Sequence, residues 1–505
     1  MSAPRVLAID QGTSGTTCLV VGVDGEIHAR GHTDVAVRYP RDGWVEQDAE
    51  DLWQSVLVAS RAALDAAGGP PPVAVGITNQ RETLVVFERD GLRPVAPAIV
   101  WQCRRSAALC AAHRARGEEE VLRRRTGLLL DPYFTATKLE WLLNEQPELR
   151  PRAERGALCG GTVDTWLIAR LSGGAELVTD AGNASRTLLY DLRRGDFDDE
   201  LCTLFGVPRA VLPEVRGSAG PLAVTDPDAF LGLRLPVTGI AGDQQAALFG
   251  QACLEQGMSK NTYGTGSFVL VNIGTTPPAP VHGLLGTVAW RLGEQDTFAL
   301  EGSIFVTGAG LQWLRDGLRL IAAADEAGPL FDSVPDSNGC IFIPALSGLG
   351  APHWDPDARG AMLGLSAGVS RAHVVRAVVE AMAYRTRDVV EAVEKGSGIT
   401  LEELRVDGGA SAMDGLCQFQ ADLLGLPVTR AASTETTAVG AAMLAAVGAD
   451  LIEAPAGVQA AYKAGRRFDP ANPGNRPQEP YEAWQRALDR VRSRPTNPPN
   501  TNPTK

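Results

Sequence analysis

The sequence predicts an α/β protein with two domains and a ligand-binding cleft between them. Its 505 residues exceed the roughly 250 to 300 at which one hydrophobic core stops growing, so a single domain is not expected. A hydrophobic content of 44%, a charged content of 21% and 55 glycines are typical of a globular protein. Each half of the chain also contains a turn of glycines and hydroxyl residues that leads into an apolar strand, which suggests an internal duplication.

The first elements are predicted to be antiparallel strands, a helix and a further strand. RVLAID and TCLVVGVDGEIHARG contain apolar runs, and Asp24-Gly25 is a strong hairpin-turn signal, so two or three antiparallel strands are expected. Apolar residues then recur with helical spacing after Asp48, a favourable N-cap, and Gly68 ends that helix. VAVGIT at 73–78 is predicted to be a buried strand.

The second half repeats this order of elements. KNTYGTGSFVLVNIG at 260–274 runs a glycine-threonine turn into an apolar strand. A long amphipathic helix is predicted from a cap at Ser370 to a stop at Gly396. LRVDGGASAMDG at 404–415 then indicates a strand, a glycine pair and a new helix. The proline- and asparagine-rich end, 493–505, is predicted to be a disordered tail.

The composition favours a small-molecule partner in the cytoplasm. A formal net charge of -13 argues against nucleic acid, whose phosphates attract clusters of lysine and arginine. No stretch approaches the ~18 consecutive apolar residues of a membrane span, and no signal peptide is recognised. The eight cysteines include no CxxC pair, so reduced thiols of a cytoplasmic protein are expected, without a structural zinc.

The segment DQGTSGTT, 10–17, is a candidate phosphate-binding turn between two strands. Glycine allows successive backbone N–H groups to point into a concave nest, and Thr13 and Ser14 add hydroxyl donors. A carboxylate beside phosphates is repelled unless a divalent cation lies between them, so Asp10 is a candidate Mg²⁺ ligand. A plain glycine-rich hairpin turn remains an equal alternative from this segment alone.

Two further glycine turns are candidates for the same ligand. The chain lacks GxxxxGK[ST] and GxGxxG, so a P-loop and a dinucleotide-binding motif are not supported. YGTGSF at 263–268 is a second glycine-hydroxyl turn, and VDGGA at 406–410 places glycines at a helix start, where the helix dipole favours anions. Together these turns suggest one nucleotide held across a cleft, although each is singly compatible with an ordinary loop.

Two acidic motifs are candidates for substrate binding and catalysis. Arg81 and Glu82 follow a buried strand, at the strand end where open α/β sheets bind ligands. Such a pair can hold a polyol, because a guanidinium donates to hydroxyl oxygens and a carboxylate accepts hydroxyl protons. Asp243 and Gln244 begin a helical segment, where Asp243 is either a helix cap or a base for a hydroxyl that attacks phosphorus. A solvated surface pair is the alternative for Arg81 and Glu82.

The motifs IDQGTS, GWVEQD, GITNQRET, GIAGDQQAALFGQ, KNTYGTG, GLGAPHWDPDARGA and RVDGGA together resemble the FGGY carbohydrate kinase family of the actin-like ATPase superfamily. Within that family they are most similar to the kinases that act on glycerol, and the likeness spans nearly the whole chain. The resemblance implies two ribonuclease-H-like domains with a cleft between them, at residues 1–250 and 251–492. It also implies phosphorylation of glycerol by ATP with Mg²⁺, and a homo-oligomer, either dimer or tetramer.

The resemblance assigns roles residue by residue. Glycerol would be held by Arg81, Glu82, Trp101, Tyr133, Asp243, Gln244 and Phe268, and Asp243 would be the catalytic base. The nucleotide site would be lined by Thr13, Ser14, Gly15, Thr265, Gly308, Gln312, Gly409 and Met413. Asp10 would serve the metal, in agreement with the argument from its position beside the turn.

The chain departs from the family pattern at two nucleotide-site positions. Thr17 stands where an arginine is expected near the phosphates, and Met413 stands where an asparagine is expected. Loss of one cation there weakens phosphate binding unless another arginine replaces it. Two alternatives therefore remain open: a kinase for another polyol or sugar of the family, and a non-catalytic actin-like nucleotide sensor.

Overall fold

Within residues 3–493, which the computed structural model describes, both halves of the chain contribute strands to one mixed sheet of thirteen strands. Of the predicted tail, only Ser493 lies in this range. Its backbone N–H and hydroxyl donate to the carboxylate of Asp355 at 2.7 and 2.6 Å. Residues 494–505 lie outside the described residues, so the tail stays a prediction there.

The strands fall into two sets along the chain. The amino-terminal half contains β1 (Arg5–Gln11), β2 (Gly15–Gly22), β3 (Ile27–Asp34), β4 (Glu46–Gln47), β5 (Ala74–Asn79), β6 (Val85–Glu88), β7 (Ala98–Ile99), β8 (Leu158–Gly161), β9 (Val178–Asp180), β10 (Tyr190–Asp191), β11 (Asp196–Phe197), β12 (Glu214–Arg216), β13 (Ala219–Val224) and β14 (Pro236–Gly242). The carboxyl-terminal half contains β15 (Ser259–Tyr263), β16 (Ser267–Gly274), β17 (Leu285–Leu292), β18 (Gln295–Ile304), β19 (Ile341–Ile343), β20 (Ala361–Leu363), β21 (Leu404–Asp407), β22 (Val428–Ala431) and β23 (Ala464–Phe468).

Helices lie between many of these strands. They are α1 (Ala49–Ala67), α2 (Ala107–Ala115), α3 (Glu119–Thr126), α4 (Thr135–Glu145), α5 (Arg150–Glu154), α6 (Val163–Leu171), α7 (Ala181–Ala184), α8 (Asp199–Leu204), α9 (Asp243–Gly250), α10 (Gly308–Gln312), α11 (Ala327–Asp332), α12 (Arg371–Ser397), α13 (Asp414–Leu424), α14 (Thr436–Gly448), α15 (Ala456–Ala461) and α16 (Glu479–Leu488). None of the helices within residues 3–493 is long and apolar enough to cross a membrane.

Each half of the large sheet repeats one strand arrangement. In the first half β1, β2 and β3 are antiparallel neighbours, and β5 and β14 continue the sheet in parallel beside β1. In the second half β15, β16 and β18 are antiparallel neighbours, and β21 and β22 continue in parallel beside β15. The halves meet where β13 pairs with β17 at Ala219 and Leu292. This repeated strand order confirms the internal duplication suggested by the sequence.

Strand β1 is buried on both faces. Leu7 and Ile9 belong to the apolar core under α1, whereas Val6 and Ala8 belong to the core under α14. A strand covered on both faces requires apolar residues at successive positions, which explains the uninterrupted run of RVLAID. Asp10 is the sixth residue of the strand and is partly buried, whereas Gln11, the last residue of the strand, is fully enclosed.

The predicted helix boundaries agree closely with the structure. The carboxylate of Asp48 accepts a backbone N–H at the start of α1 at 2.9 Å, and Gly68 caps the other end of the helix. Ser370 caps α12 as expected. This helix continues slightly past Gly396, because the left-handed residue that ends it is Gly398, at φ 72°.

Helix α14 lies against α9 and against the first half-sheet at distances that require glycine. A Cβ atom at Gly440 would fall 1.9 Å from the carbonyl oxygen of Ala246 in α9, and one at Gly250 would fall 2.2 Å from a carbonyl oxygen of α14. On the sheet side, a Cβ atom at Gly76 would fall 2.1 Å from another carbonyl oxygen of α14. Because α9 begins at Asp243, this close packing fixes where that carboxylate lies.

We expect Gly440→Ala to lower the free energy of unfolding by about 1–3 kcal/mol, because the added methyl group must separate α14 from α9. Gly328→Ala is the matched control, since it makes the same change in a helix where the new Cβ would lie 3.6 Å from its nearest neighbour. In the control, the helix propensity of alanine and the steric cost of a Cβ before Pro329 oppose each other, so its free energy of unfolding should change by less than about 1 kcal/mol. Denaturant unfolding of both variants measures the difference, and equal losses would contradict the packing argument.

Candidate functional site

The turn between β1 and β2 presents open backbone donors at the carboxyl end of β1. The N–H of Gly12 donates to the carbonyl of Gly15 at 2.9 Å and closes the turn. Within the described chain the N–H groups of Thr13 and Ser14 have no backbone acceptor. The indole Nε1 of Trp101 donates to the Thr13 hydroxyl at 2.9 Å. Open N–H groups and hydroxyls in a short turn suit phosphate oxygens.

Asp10 lies beside this turn and close to other negative charges. Burial, then the neighbouring Asp243 and Glu435, raise the pKa of Asp10 to about 8. A nearby cation would favour the charged form of such a carboxyl group. Within residues 3–493 no group of three or more His, Cys, Asp or Glu could hold a metal by itself. One carboxylate beside this turn could supply a single oxygen ligand to a hard divalent cation.

Arg81 connects the acidic residues of the predicted polyol site. It follows β5 directly, and its guanidinium Nε lies 3.1 Å from Oδ1 of Asp243 and 4.0 Å from Oε1 of Glu82. Its Nη1 donates to Oε2 of Glu301 at 2.5 Å. The Arg81 side chain is 2% exposed, whereas that of Asp243 is 34% exposed. The surface-pair alternative for Arg81 and Glu82 is therefore wrong, because both side chains are enclosed.

Four buried charges form a closed network under the site. Arg186 donates from Nε to Oε1 of Glu82 at 2.7 Å and from Nη2 to Oε1 of Glu301 at 3.0 Å. Arg81 contacts the same two glutamates from the other side. Against the effect of burial, Arg186 and Arg81 lower the pKa of Glu301 to about 2. Glu301 belongs to β18, so the second half of the chain helps to position residues of the first half.

The backbone at Glu82 is held in a conformation that non-glycine residues rarely adopt. Its φ angle is 60°. The buried ammonium of Lys138 donates to the carbonyl oxygens of Glu82 and Tyr133 at 2.9 and 2.6 Å. The hydroxyl of Thr135 also donates to the carbonyl of Glu82, at 3.2 Å. Such strain is typical of functional sites whose surroundings determine the backbone.

Aromatic rings border the charged groups. The rings of Trp101 and Tyr133 are 5.6 Å apart and nearly perpendicular, and burial raises the pKa of Tyr133 well above its ordinary value. The guanidinium of Arg81 lies 5.7 Å from the ring centre of Phe268. Hydrocarbon surface beside buried donors and acceptors suits a small molecule with both hydroxyls and carbon atoms.

Asp243 and Gln244 occupy the first turn of α9. The N-cap residue is Gly242, and Oδ1 of Asp243 accepts the N–H of Gln244 at 2.7 Å. Asp243 is therefore not the N-cap residue, and its partly exposed carboxylate faces Arg81. The amide oxygen of Gln244 accepts from the buried ammonium of Lys260.

The second and third glycine turns lie against each other and against the start of α10. The N–H of Gly308 donates to the carbonyl of Gly264 at 3.0 Å, and the carbonyl of Thr265 accepts from the residue after Gly308 at the same distance. Gly408 has φ 84°, and a Cβ there would fall 2.4 Å from the carbonyl oxygen of Tyr263. Three predicted residues are exposed at these turns: Thr265, Gln312 and Gly409.

The two departures from the family pattern have defined surroundings. The hydroxyl of Thr17 lies 2.9 Å from Nδ1 of His32. Met413 is half-buried and packs against an apolar core. Its Cγ lies near Gly328, 3.6 Å from where a Cβ would stand. Met413 is thus an apolar wall residue beside α11 and offers no amide to a ligand.

Sequence reasoning missed three buried residues of the site: Arg186, Glu301 and Lys260. Their burial is complete, at 0% exposure. A lone charge inside an apolar run is the signal that could have found Glu301, which interrupts FALEGSIF. Lys260 lies in the polar strand SKNTY, so its sequence gives no such signal. Arg186 carries no comparable local signal, because its partners lie 104 and 115 residues away.

Comparisons with known proteins show the family and the fold of the chain. The model of the FGGY family of carbohydrate kinases, N-terminal domain, matches residues 5–250, and the C-terminal domain model matches residues 259–449. The chain is 50% identical over 487 residues to the glycerol kinase of Dechloromonas aromatica, covering 96% of this chain and 97% of that protein. It is 46% identical over 485 residues to the glycerol kinase of Thermus thermophilus, covering 96% and 98%.

Solved structures show the same fold. The crystal structure of Plasmodium falciparum glycerol kinase with ADP gives a TM-score of 0.90 at 30% identity, over 97% of this chain and 98% of that one. The xylulose kinase of Rhodospirillum rubrum gives a TM-score of 0.85 at 24% identity, over 96% and 98% of the two chains. The second likeness concerns the fold alone.

We expect Glu301→Gln to lower the free energy of unfolding by about 3–5 kcal/mol, because it leaves two buried arginines with one glutamate. The matched control is Glu120→Gln, which removes an exposed helical pair with Arg124 at 3.7 Å and should cost at most about 0.5 kcal/mol. Denaturant unfolding of both variants provides the measurement. Equally small losses in the free energy of unfolding of the two variants would show that the buried network stabilises the fold no more than an exposed ion pair does.

Proposed function

The chain belongs to the FGGY family of carbohydrate kinases, and we propose that it transfers the terminal phosphoryl group of ATP to glycerol, forming sn-glycerol 3-phosphate. The two-domain actin-like ATPase fold expected from the sequence is confirmed by the family match and by the likeness to a solved glycerol kinase. Nearly full-length similarity to curated glycerol kinases supports glycerol as the acceptor. The observation that carries the proposal is the buried Arg81, placed between Glu82 and Asp243 beside an aromatic wall.

Glycerol binding is assigned to the enclosed polar groups and their aromatic neighbours. Arg81 would donate to hydroxyl oxygens, and the carboxylates of Glu82 and Asp243 would accept hydroxyl protons. Gln244 would add an amide contact. The carbon atoms of glycerol would lie against the aromatic side chains of the site, namely Trp101, Tyr133 and Phe268.

Asp243 would act as the base in an in-line transfer. The hydroxyl oxygen of glycerol bonds to the γ-phosphorus while the bond from that phosphorus to its bridging oxygen breaks and ADP leaves. The hydroxyl proton passes to the Asp243 carboxylate late in the step, because a carboxylate is too weak a base to form an alkoxide beforehand. The 3.1 Å contact with Arg81 orients this carboxylate toward the polyol site.

The nucleotide would be held by turns from both halves of the chain. Open N–H groups and hydroxyls of Thr13, Ser14 and Gly15 would bind phosphate oxygens, and five further residues would complete the site: Thr265, Gly308, Gln312, Gly409 and Met413. Asp10 would hold Mg²⁺, which when bound neutralises phosphate charge during the transfer. The Met413 side chain would contribute apolar contact only.

The remaining expectations concern assembly and location. A dimer or tetramer stays a prediction, as does the division of the chain at residues 250 and 492. Within residues 3–493 all eight cysteines are free and buried, an arrangement that supports the proposed cytoplasmic location, where thiols stay reduced.

We expect purified protein with Mg²⁺-ATP to release ADP when glycerol is supplied, and much less with dihydroxyacetone, erythritol, xylulose, gluconate or no acceptor. A coupled ADP assay measures this release across the panel. Strong ADP release with a different acceptor would support kinase activity but contradict glycerol as the substrate. ATP binding without release for any acceptor would favour the nucleotide sensor, to which Thr17 and Met413 point.

Asp243→Asn should lower kcat for glycerol by about 10²–10⁴-fold, the usual contribution of a positioned base. The asparagine keeps the size of the side chain, so the fold should persist, which circular dichroism can verify. Asp228→Asn, a change at an exposed loop position, is the matched control and should leave kcat unchanged. If the Asp243 variant turned over at the normal rate, another group would have to be the base.

A further inference from the structure

A fully buried lysine lies between the two proposed ligand sites. Lys260 is 0% exposed and stands on β15, the strand that leads into the second phosphate turn. Its ammonium donates to the amide oxygen of Gln244 and, at 2.9 Å, to the hydroxyl of Thr262. Burial lowers the pKa of Lys260 to about 8, opposed by Asp407 and Asp243. Both contacts of Nζ are oxygen atoms, which suits a donating ammonium group.

This lysine determines which end of the Gln244 amide faces the cleft. An ammonium group only donates hydrogen bonds, so the amide atom next to it must be the acceptor Oε1. The amide nitrogen Nε2 then occupies the other end of the group. Gln244 retains 7% exposure, and its Nε2 is not among the enclosed side-chain atoms without a partner. Nε2 is thus left as an accessible donor at the first turn of α9.

We propose that Lys260 is a positioning residue for the acceptor: it fixes the Gln244 amide so that Nε2–H donates to a hydroxyl of glycerol. The inference rests on the proposed function, since it concerns the polyol that Gln244 would bind. Lys260 acts through Gln244, because its own side chain is enclosed and has no direct path to the substrate.

The orientation has a consequence for the reacting hydroxyl. A hydroxyl group has one proton to donate and two lone pairs that accept. A hydroxyl that accepts from Nε2 of Gln244 keeps its proton for a neighbouring acceptor, and Asp243 is the adjacent residue on the same turn. An inverted amide would instead present Oε1, which competes with Asp243 for that proton. By fixing the amide, Lys260 thereby favours donation of the hydroxyl proton to Asp243, which the transfer requires.

Lys260 also joins this amide to the nucleotide side of the cleft. Its neighbour Thr262 lies opposite Asp407 in the parallel pair of β15 and β21, and Asp407 raises the pKa of Lys260 against the larger effect of burial. Asp407 immediately precedes the glycine pair that begins at Gly408.

A double-mutant cycle tests whether Lys260 acts through Gln244. We expect Lys260→Met and Gln244→Ala each to raise the glycerol KM about tenfold, the effect of losing one hydrogen bond to a bound hydroxyl. The double variant should be no worse than Gln244→Ala alone, and the KM for ATP should stay within about twofold of normal for all three. Additive effects on glycerol, or an equal rise in the ATP KM, would overturn the proposal.

Two further measurements keep the proposal testable if Lys260→Met does not fold. Gln244→Glu retains an acceptor for Lys260 but removes the amide donor, so its glycerol KM should rise as much as that of Gln244→Ala. A normal glycerol KM for Gln244→Glu would refute the role of Nε2. Propane-1,2-diol and propane-1,3-diol each lack one hydroxyl of glycerol but keep one that can react, so the Gln244 variants should raise the KM of both diols as they raise that of glycerol. A diol whose KM does not change in these variants would also refute the proposal.

The controls separate this proposal from the proposed function. Lys395→Met removes an exposed lysine of α12 and should change neither KM. If the unmodified protein fails to phosphorylate glycerol, the proposed function fails, whatever the variants do. If it phosphorylates glycerol and the cycle is additive, the proposed function stands and the positioning role of Lys260 is rejected.

Discussion

The site depends on four charges enclosed together: the guanidinium groups of Arg81 and Arg186 and the carboxylates of Glu82 and Glu301. Each costs several kcal/mol to remove from water, and the cost is offset only when all four are present with good geometry. The contacts between them run from 2.5 to 4.0 Å. Arg81 therefore has one position available, and in that position its Nε faces Asp243. The carboxylate proposed as the base is thus oriented by a charge network of which it is not a member.

This network also makes the polyol site depend on both halves of the chain. Arg81, Glu82 and Arg186 come from the first half, whereas Glu301 comes from β18 in the second half. Their distances hold only if the two half-sheets keep a fixed relation, which the β13–β17 pair and the packing of α14 against α9 supply. The close approach at Gly440 therefore helps to hold the proposed site, although that glycine does not contact its residues. Rigid support of this kind is what a site needs to keep its geometry.

The sequence predicted those parts of the site that have a local signal. Arg81 and Glu82 could be placed because they follow a buried strand, and the turn at Thr13 could be placed because glycine and hydroxyl residues follow β1. Glu301 and Arg186 could not be assigned, since they act through contacts between segments more than 100 residues apart. The close approach of α14 to α9 at Gly440 was missed for a related reason. A glycine inside a helix is usually destabilising, and only the contact with α9 explains why glycine is needed there. Contacts between residues that are far apart in the sequence leave no periodic pattern along the chain from which they could be predicted.

The same arrangement sets how the pocket can distinguish acceptors. An acceptor that lacks a hydroxyl leaves an enclosed donor or carboxylate without a partner, and sites of this type reject such analogues strongly. Longer polyols satisfy the same polar groups, so hydrogen bonding alone does not exclude them. The rings of Trp101 and Tyr133 lie beside these groups and are held in place, since the indole donates to the Thr13 hydroxyl and the Tyr133 carbonyl accepts from Lys138. In the proposed site, the polar groups would set the minimum number of hydroxyls and these rings would limit the length of the acceptor.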